Sequence, residues 1–268
     1  MRKQGNHTPH KLTEMENKNQ VLDYTPQQTA AWFEQRLGLI TNSELHRLMA
    51  YPDKITAESE LSKGAKTYIE ELFWELADGF AKEVKARTLE YGNNQEPKAK
   101  QKLANSIKQT LHDCEFIPHP EFVFYGGSPE LEPVIVNGLR TTTEIKCPAT
   151  GRSHNENIEM CKAWKEDNSA LLKTYPELYW QINGNMLLQK TDVCVFVSYH
   201  ETKLCTTDYL EHYFPKDATA IERINIQLPK AYKYYQEYGK RHGVDVNAHL
   251  AERHRLYFEN KKPFTNAA

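Results

Sequence analysis

Glu144 and Lys146 lie two residues apart in the run Arg140-Thr141-Thr142-Thr143-Glu144-Ile145-Lys146. Side chains alternate between the faces of a strand. Arg140, Thr142, Glu144 and Lys146 therefore share one face, and Leu139, Thr141, Thr143, Ile145 and Cys147 share the other. A carboxylate beside an ammonium can hold a divalent cation while the ammonium orients a water or steadies charge developing on a phosphate. Spacing alone carries little weight. The chain contains six Glu-x-Lys triplets, beginning at Glu16, Glu83, Glu96, Glu144, Glu201 and Glu259, and a bare triplet is ordinarily a solvated surface pair.

The elements around this run give it context. Asn137-Gly138, between Val134-Ile135-Val136 and Leu139 to Cys147, predicts a two-residue hairpin. Upstream, Tyr125-Gly126-Gly127-Ser128-Pro129-Glu130 is a glycine turn that delivers an acid to the hairpin entry. Strict pairing sets Leu131 opposite Glu144, so an acid reaches the Glu144 face only through a bulge near Pro133. The arithmetic leaves open whether that acid is Glu130 or Glu132. Either way, two carboxylates and a lysine converge, which suits oxygen-rich Mg²⁺ coordination. A third acid comes from a helical unit over 89–111. Its stripe Ala99, Leu103, Ile107 and Leu111, extended backward, lands on Glu96. Pro97 fixes the helix start near Asn94–Glu96, so Glu96 is expected at a helix N-terminus, where the dipole favours its charge.

The remaining elements read as follows. Residues 1–24 are polar and form a mobile tail. Thr25-Pro26 opens a helix with Trp32, Phe33 and Leu37 on one face, ended by Gly38. Thr41-Asn42-Ser43-Glu44 caps a short helix through Met49, and a longer helix runs from about Glu58 to Ala77. Strands are expected at Glu121–Tyr125, Thr191–Tyr199 and Lys203–Tyr213, and helices at about 155–165 and 176–188. The segment from Lys216 to about Arg255 is helical, broken by Pro229 and Gly243. No repeat or Gly/Ser-rich linker divides the chain, so residues 25–262 read as one α/β domain with a C-terminal helical part over about 215–262.

Composition bounds the function. With 268 residues, 39% apolar and 29 aromatic, the chain can build a substantial core. No apolar run approaches the ~18 residues of a membrane span. The polar first twenty residues lack the apolar stretch of a secretory signal, which points to a cytoplasmic protein with no membrane role. Cys114, Cys147, Cys161, Cys194 and Cys205 form no Cys-x-x-Cys pair, which argues for reduced thiols rather than disulfides or a zinc knuckle. His249 and His254 receive no role. The net charge of −2 neither demands nor forbids nucleic acid. Residues 215–262 carry a modest basic excess.

Pro129-Glu130…Glu144-Ile145-Lys146 resembles the PD-(D/E)XK nuclease core, and more narrowly the chain is similar to phage lambda-type exonucleases, the YqaJ-like viral recombinases. Four stretches match in order. They are Trp32-x3-Arg36-x-Gly38-x-Ile40-Thr41-x-Ser43; Gly92-x3-Glu96-x2-Ala99; Gly127-Ser128-Pro129-Glu130; and Glu144-Ile145-Lys146-Cys147-Pro148 with Arg152. Tyr179-x-Gln181 is a weaker fifth, and together they span about 32–199. The resemblance implies a restriction-endonuclease-like α/β fold, a central mixed sheet whose hairpin carries the active site, flanked by helices. It implies Glu130 and Glu144 as metal-binding acids, an oxygen ligand from the Ile145 carbonyl, and Glu96 reaching the same cluster. Lys146 would position or activate the attacking water, and Gln181 would support the site. Arg36, Ser43, Ser128 and Arg152 would grip a DNA 5′-phosphate with guanidinium forks and hydroxyls. Two Mg²⁺ ions are implied, with Mn²⁺ as an alternative.

The implied activity is 5′-to-3′ digestion of linear double-stranded DNA, leaving a 3′ single strand for phage-type recombination. The implied assembly is a ring-shaped homotrimer working beside a single-strand annealing protein. The alternatives are another nuclease of the same core, an endonuclease or repair enzyme, or a DNA-end-binding module with a failed metal site. The last arises because the family has Asp where this chain has Glu130. One extra methylene moves the carboxylate by more than about an ångström. The backbone could retreat, Glu132 could substitute, or the site could be impaired.

Overall fold

The computed structural model describes residues 27, 29–80, 87–164, 168–201 and 207–260. Thr29 caps α1 (Ala30–Arg36) by accepting from the Trp32 N–H. The chain reverses at Gly38, whose φ of 69° suits glycine. It enters β1 (Ile40–Thr41), then a 3-10 turn (Asn42–Glu44) leading into α2 (Leu45–Leu48). Ser62 caps α3 (Lys63–Asp78). Next come α4 (Arg87–Ile107), β2 (Ile117–Pro118), β3 (Tyr125–Gly127), β4 (Val134–Val136) and β5 (Leu139–Lys146). Thr150 caps α5 (Gly151–Ala163), which is followed by α6 (Asn168–Thr174) and α7 (Pro176–Gln189). The chain closes with β6 (Val193–Tyr199), β7 (Tyr209–Pro215), α8 (Ala218–Arg241) and α9 (Val246–Asn260).

The strands form two sheets. The larger has the order β4-β5-β6-β7, with β5 and β6 parallel and the outer pairs antiparallel. Asn137 and Gly138 both adopt positive φ, 51° and 79°, the conformation a two-residue hairpin turn requires, and Val136 pairs with Leu139 as expected. The smaller sheet, β1-β3-β2, lies beside α7. One face of the large sheet packs Ile145, Val195, Val197 and Tyr199 against Ala99 and Leu103 of α4. The other sends Cys194, Phe196 and Phe214 into the main core with α7, α8 and α3. Because both faces are covered, residues 141–145 of β5 are all buried, as expected of a central strand. Glu144 is thereby drawn into the interior.

Several expectations are corrected. Helix α4 begins at Arg87, so Pro97 lies inside it and Glu96 is a mid-helix residue, not an N-terminal one. α8 runs through Pro229 without a break. The ring is on the exposed side of the helix, where a lost internal hydrogen bond leaves a carbonyl to water. α3 starts at Lys63 rather than near Glu58, and α5 at Gly151 rather than Asn155. The strand expected at 121–125 is instead β3 at Tyr125–Gly127, and β2 and α6 were not anticipated. The tail, Thr25-Pro26 and residues 203–206, Cys205 among them, lie outside the described residues. Tyrosines of α8 pack into the fold. Tyr235 is buried and donates to the carbonyls of Gly38 and Leu72, and Tyr232 stacks on Phe124 with ring centroids 4.5 Å apart.

Candidate active site

β5 carries Glu144 and α7 faces it. The Glu144 carboxylate is fully buried. Its Oε1 lies 2.7 Å from Lys146 Nζ, and its Oε2 accepts from Asn185 Nδ2 at 3.2 Å. Lys146 Nζ also donates to Gln181 Oε1 at 3.1 Å. Arg140 and Thr142, on the same strand face, reach the Gln189 carbonyl and the Thr191 hydroxyl. The alternation read from sequence therefore holds, with α7 and its C-terminal exit capping the polar face. Desolvation would lower the Lys146 pKa. The charge and hydrogen bond of Glu144, with Glu130 and Glu177 behind, outweigh it and hold the ammonium above its ordinary value.

Between Glu130 and Glu132 the structure separates the two acids. Pairing with β5 begins only after Pro133, at Val134; before it the chain runs against residues 112–114, with Glu132 N–H donating to the His112 carbonyl at 2.9 Å and Cys114 N–H to the Glu130 carbonyl at 3.3 Å. Leu131 is buried between them and Glu132 is exposed. Burial, with the nearby charges of Glu144 and Glu96, pushes the Glu130 pKa up to about 8. Glu96 is drawn toward Lys100 one turn on, at 2.7 Å, and Lys100 also meets Asp113 at 2.5 Å. Among the described residues, no three His, Cys, Asp or Glu side chains are gathered closely enough to ligate one ion as they stand.

The donor set nonetheless fits a hard cation. Glu130, Glu144 and Glu96 supply oxygen alone, and they share a region where their charges oppose one another. Glu144 Oε1 is buried and meets the Lys146 ammonium alone among the described residues. A divalent ion would relieve the repulsion that raises Glu130.

The elements before α2 build a second cluster. The Arg36 guanidinium lies over the Trp32 ring at 3.9 Å and donates to Ser43 Oγ at 3.4 Å. Ser43 Oγ is 3.2 Å from Thr41 Oγ1, and Trp32 Nε1 donates to Ser128 Oγ at 3.1 Å. Desolvation lowers the Arg36 pKa to about 10, so it stays cationic at neutral pH. Arg36, Ser43 and Ser128 are thus tied together through Trp32. Arg152 is not tied to them by any described contact: it is exposed on the first turn of α5 and pairs with Glu156 at 3.0 Å.

The ordered motifs and this geometry agree with a direct comparison. The model of the YqaJ-like viral recombinase domain matches residues 31–192, more than half of the chain. The chain belongs to that family. No curated protein matches it significantly in sequence. Among solved structures, the YqaJ-family chain is similar to the alkaline exonuclease LHK-Exo from Laribacter hongkongensis, at 21% identity and a TM-score of 0.62. That match covers 87% of this chain and all of the other. The same enzyme in complex with dAMP gives a TM-score of 0.61 at the same identity and coverage. A phage-related exonuclease from Haemophilus somnus 129PT is 17% identical with a TM-score of 0.56, covering 75% of this chain and 94% of its own. At these identities the likeness establishes the restriction-endonuclease-like fold.

Sequence reasoning missed four residues of this YqaJ-family site. Trp32 was read as an apolar helix residue at the head of a matching stretch but given no role, yet its indole bridges Arg36 and Ser128. Lys100 was passed over although its i,i+4 spacing from Glu96 was a signal. Asn42 and Asn185 carried none, because their partners lie far away in sequence.

Proposed function

We propose that this chain is a metal-dependent exonuclease that digests linear double-stranded DNA from the 5′ end and leaves a 3′ single strand for phage-type recombination. The observation that carries this reading is the meeting of Glu144, Lys146 and Gln181 beneath the loop bearing Glu130, with the Arg36–Ser43–Ser128 cluster on an adjoining wall. Family membership and the fold of alkaline exonucleases support a nuclease. A neighbour solved with dAMP supports a site able to receive a nucleotide.

In this reading Glu130, Glu144 and the Ile145 carbonyl hold Mg²⁺ or Mn²⁺, with Glu96 joining from α4. Two such ions, when bound, supply an activated water and neutralise charge on the phosphate. Lys146, kept cationic and fixed by Glu144 and Gln181, acts as a donor that orients the attacking water and steadies the phosphoryl oxygens, not as a base. Arg36 receives the terminal 5′-phosphate with Ser43 and Ser128. Arg152, exposed on α5, can approach the same phosphate or the following backbone. Contacts to backbone rather than bases imply little sequence preference. A ring-shaped homotrimer around DNA, a single-strand annealing partner and action in the host cytosol complete the proposal.

The test pairs a 5′-phosphorylated linear duplex with a covalently closed circle in Mg²⁺. Loss of the linear DNA alone, abolished by chelator and by Glu144→Ala, is expected. Nicking of the circle would instead indicate an endonuclease, and end binding without cleavage an inactive module. Arg36→Ala is expected to slow digestion of phosphorylated ends far more than that of hydroxyl ends. Equal slowing would remove Arg36 from the phosphate pocket.

A further inference from the structure

A line of buried amides joins the two clusters. Tyr125 OH donates to Asn42 Oδ1 at 2.5 Å, Asn42 Nδ2 to Asn185 Oδ1 at 2.7 Å, and Asn185 Nδ2 to Glu144 Oε2 at 3.2 Å. All four residues are at most 2% exposed. The direction of the line is dictated by its end. A carboxylate only accepts, so Asn185 must present its NH₂ to Glu144 and its carbonyl to Asn42. Asn42 must then present its own NH₂, leaving its carbonyl for the Tyr125 hydroxyl. Three dipoles are thus aligned toward one negative charge, and a chain of this kind is polarised along its length.

The backbone is shaped around the same amide. A Cβ at Gly127 of β3 or at Gly184 of α7 would collide with the Asn42 side chain, so two elements give up side chains to admit it. Asn42 also stands between Thr41 and Ser43, and Ser43 is the hydroxyl that Arg36 holds.

We infer that Asn42 and Asn185 are positioning residues: they fix the Glu144 carboxylate for the cation and lock its distance to the wall that carries Ser43. With Oε2 held by Asn185, Oε1 is left toward Lys146. Because Asn42 sits in the turn that presents Ser43, the seat of the terminal phosphate and the carboxylate are spaced by two rigid amides. That spacing decides which phosphodiester lies over Glu144. The inference rests on the nuclease reading and adds two residues that touch neither DNA nor ion.

The experiment titrates Mn²⁺ alone into the full-length protein by calorimetry, at a pH where the wild type binds it. Asn185→Ala is expected to weaken Mn²⁺ binding about 10- to 100-fold, the usual cost of losing the partner of a ligand. Asn42→Ala weakens it less. The double variant is no weaker than Asn185→Ala, because the two act in series. Asn42→Ala also narrows the preference in kcat/KM for phosphorylated over hydroxyl ends. Tyr125→Phe removes only the terminal hydroxyl and serves if an Asn variant does not fold; a several-fold loss of Mn²⁺ affinity is expected. A purely structural role would lower the melting temperature of these variants and leave Mn²⁺ affinity and end preference unchanged, which overturns the inference. If the wild type binds no Mn²⁺, the nuclease reading falls and takes this inference with it. Wild-type binding abolished by Glu144→Gln but untouched by the amide variants sinks the inference alone.

Discussion

Glu130 is the residue whose environment makes the sharpest demand. Glu130 is half-buried, and desolvation, with the charges of Glu144 and Glu96, pushes its pKa up to about 8. The sign of the consequence follows from linkage. Below the ordinary carboxyl value near 4.5 both folded and unfolded forms hold the proton. Between there and pH 8 only the folded form keeps it, so metal-free stability declines across that window, and above pH 8 the full penalty is present. In the proposed function a bound cation would replace the proton. The rise in melting temperature caused by Mg²⁺ is therefore expected to grow from pH 6 to pH 8.5, measured against chelator at each pH. Glu130→Gln should remove that growth and stabilise the metal-free protein above pH 8. A Mg²⁺ effect that is flat with pH would exclude Glu130 as a ligand. At this scale the sequence was informative about charges and silent about amides. Glu144, Lys146 and Gln181 stood in motifs tied to strand and helix periods, whereas the roles of Asn42 and Asn185 exist only once α7 lies across β3 and β5. Glu130 is separated from Glu132 only by the pairing of residues 130–132 with 112–114 ahead of Pro133, before the chain joins β5 at Val134.

At the scale of elements, the hairpin fixes the register of the strand that carries Glu144 and Lys146. Asn137 and Gly138 both sit at positive φ, and nothing lies within 4 Å of a Cβ built on Gly138, so a substitution there meets conformational strain alone. Gly138→Val is expected to cost about 1–2 kcal/mol. The measurement is a lower urea midpoint at unchanged slope. No loss would mean that the turn had relaxed to another type. This hairpin was legible because Asn-Gly carries its geometry in two residues. The proline positions were not. Pro97 and Pro229 both lie inside helices that packing sustains. Ala99 and Leu103 after Pro97, and Ile224, Leu228 and Ala231 around Pro229, are buried, and that burial outweighs the local cost of proline. β2 and α6 are too short to show a period, which is why neither was foreseen.

For the molecule as a whole, the sequence charge of −2 offers little long-range attraction for DNA, so the proposed sustained digestion would depend on enclosure rather than on electrostatic grip. The proposed ring makes this measurable. Light scattering at micromolar concentration is expected to give three times the 31.2 kDa chain mass. Product lengths in the presence of trap DNA should show long uninterrupted runs. A monomer that digests as far before release would refute enclosure.

The parallel pairing of β5 with β6 has a further consequence for how the protein is made. Glu144 lies opposite Phe196, and α5, α6 and α7 must all be synthesised between them. A nascent chain that has delivered Glu130, Glu144 and Lys146 still lacks the neighbouring strand on the far side of β5 and the helix that caps its polar face. Non-local pairing of this kind forms late. Partly translated chains on the ribosome therefore carry the acids without a seat to organise them until α7 and β6 have been made.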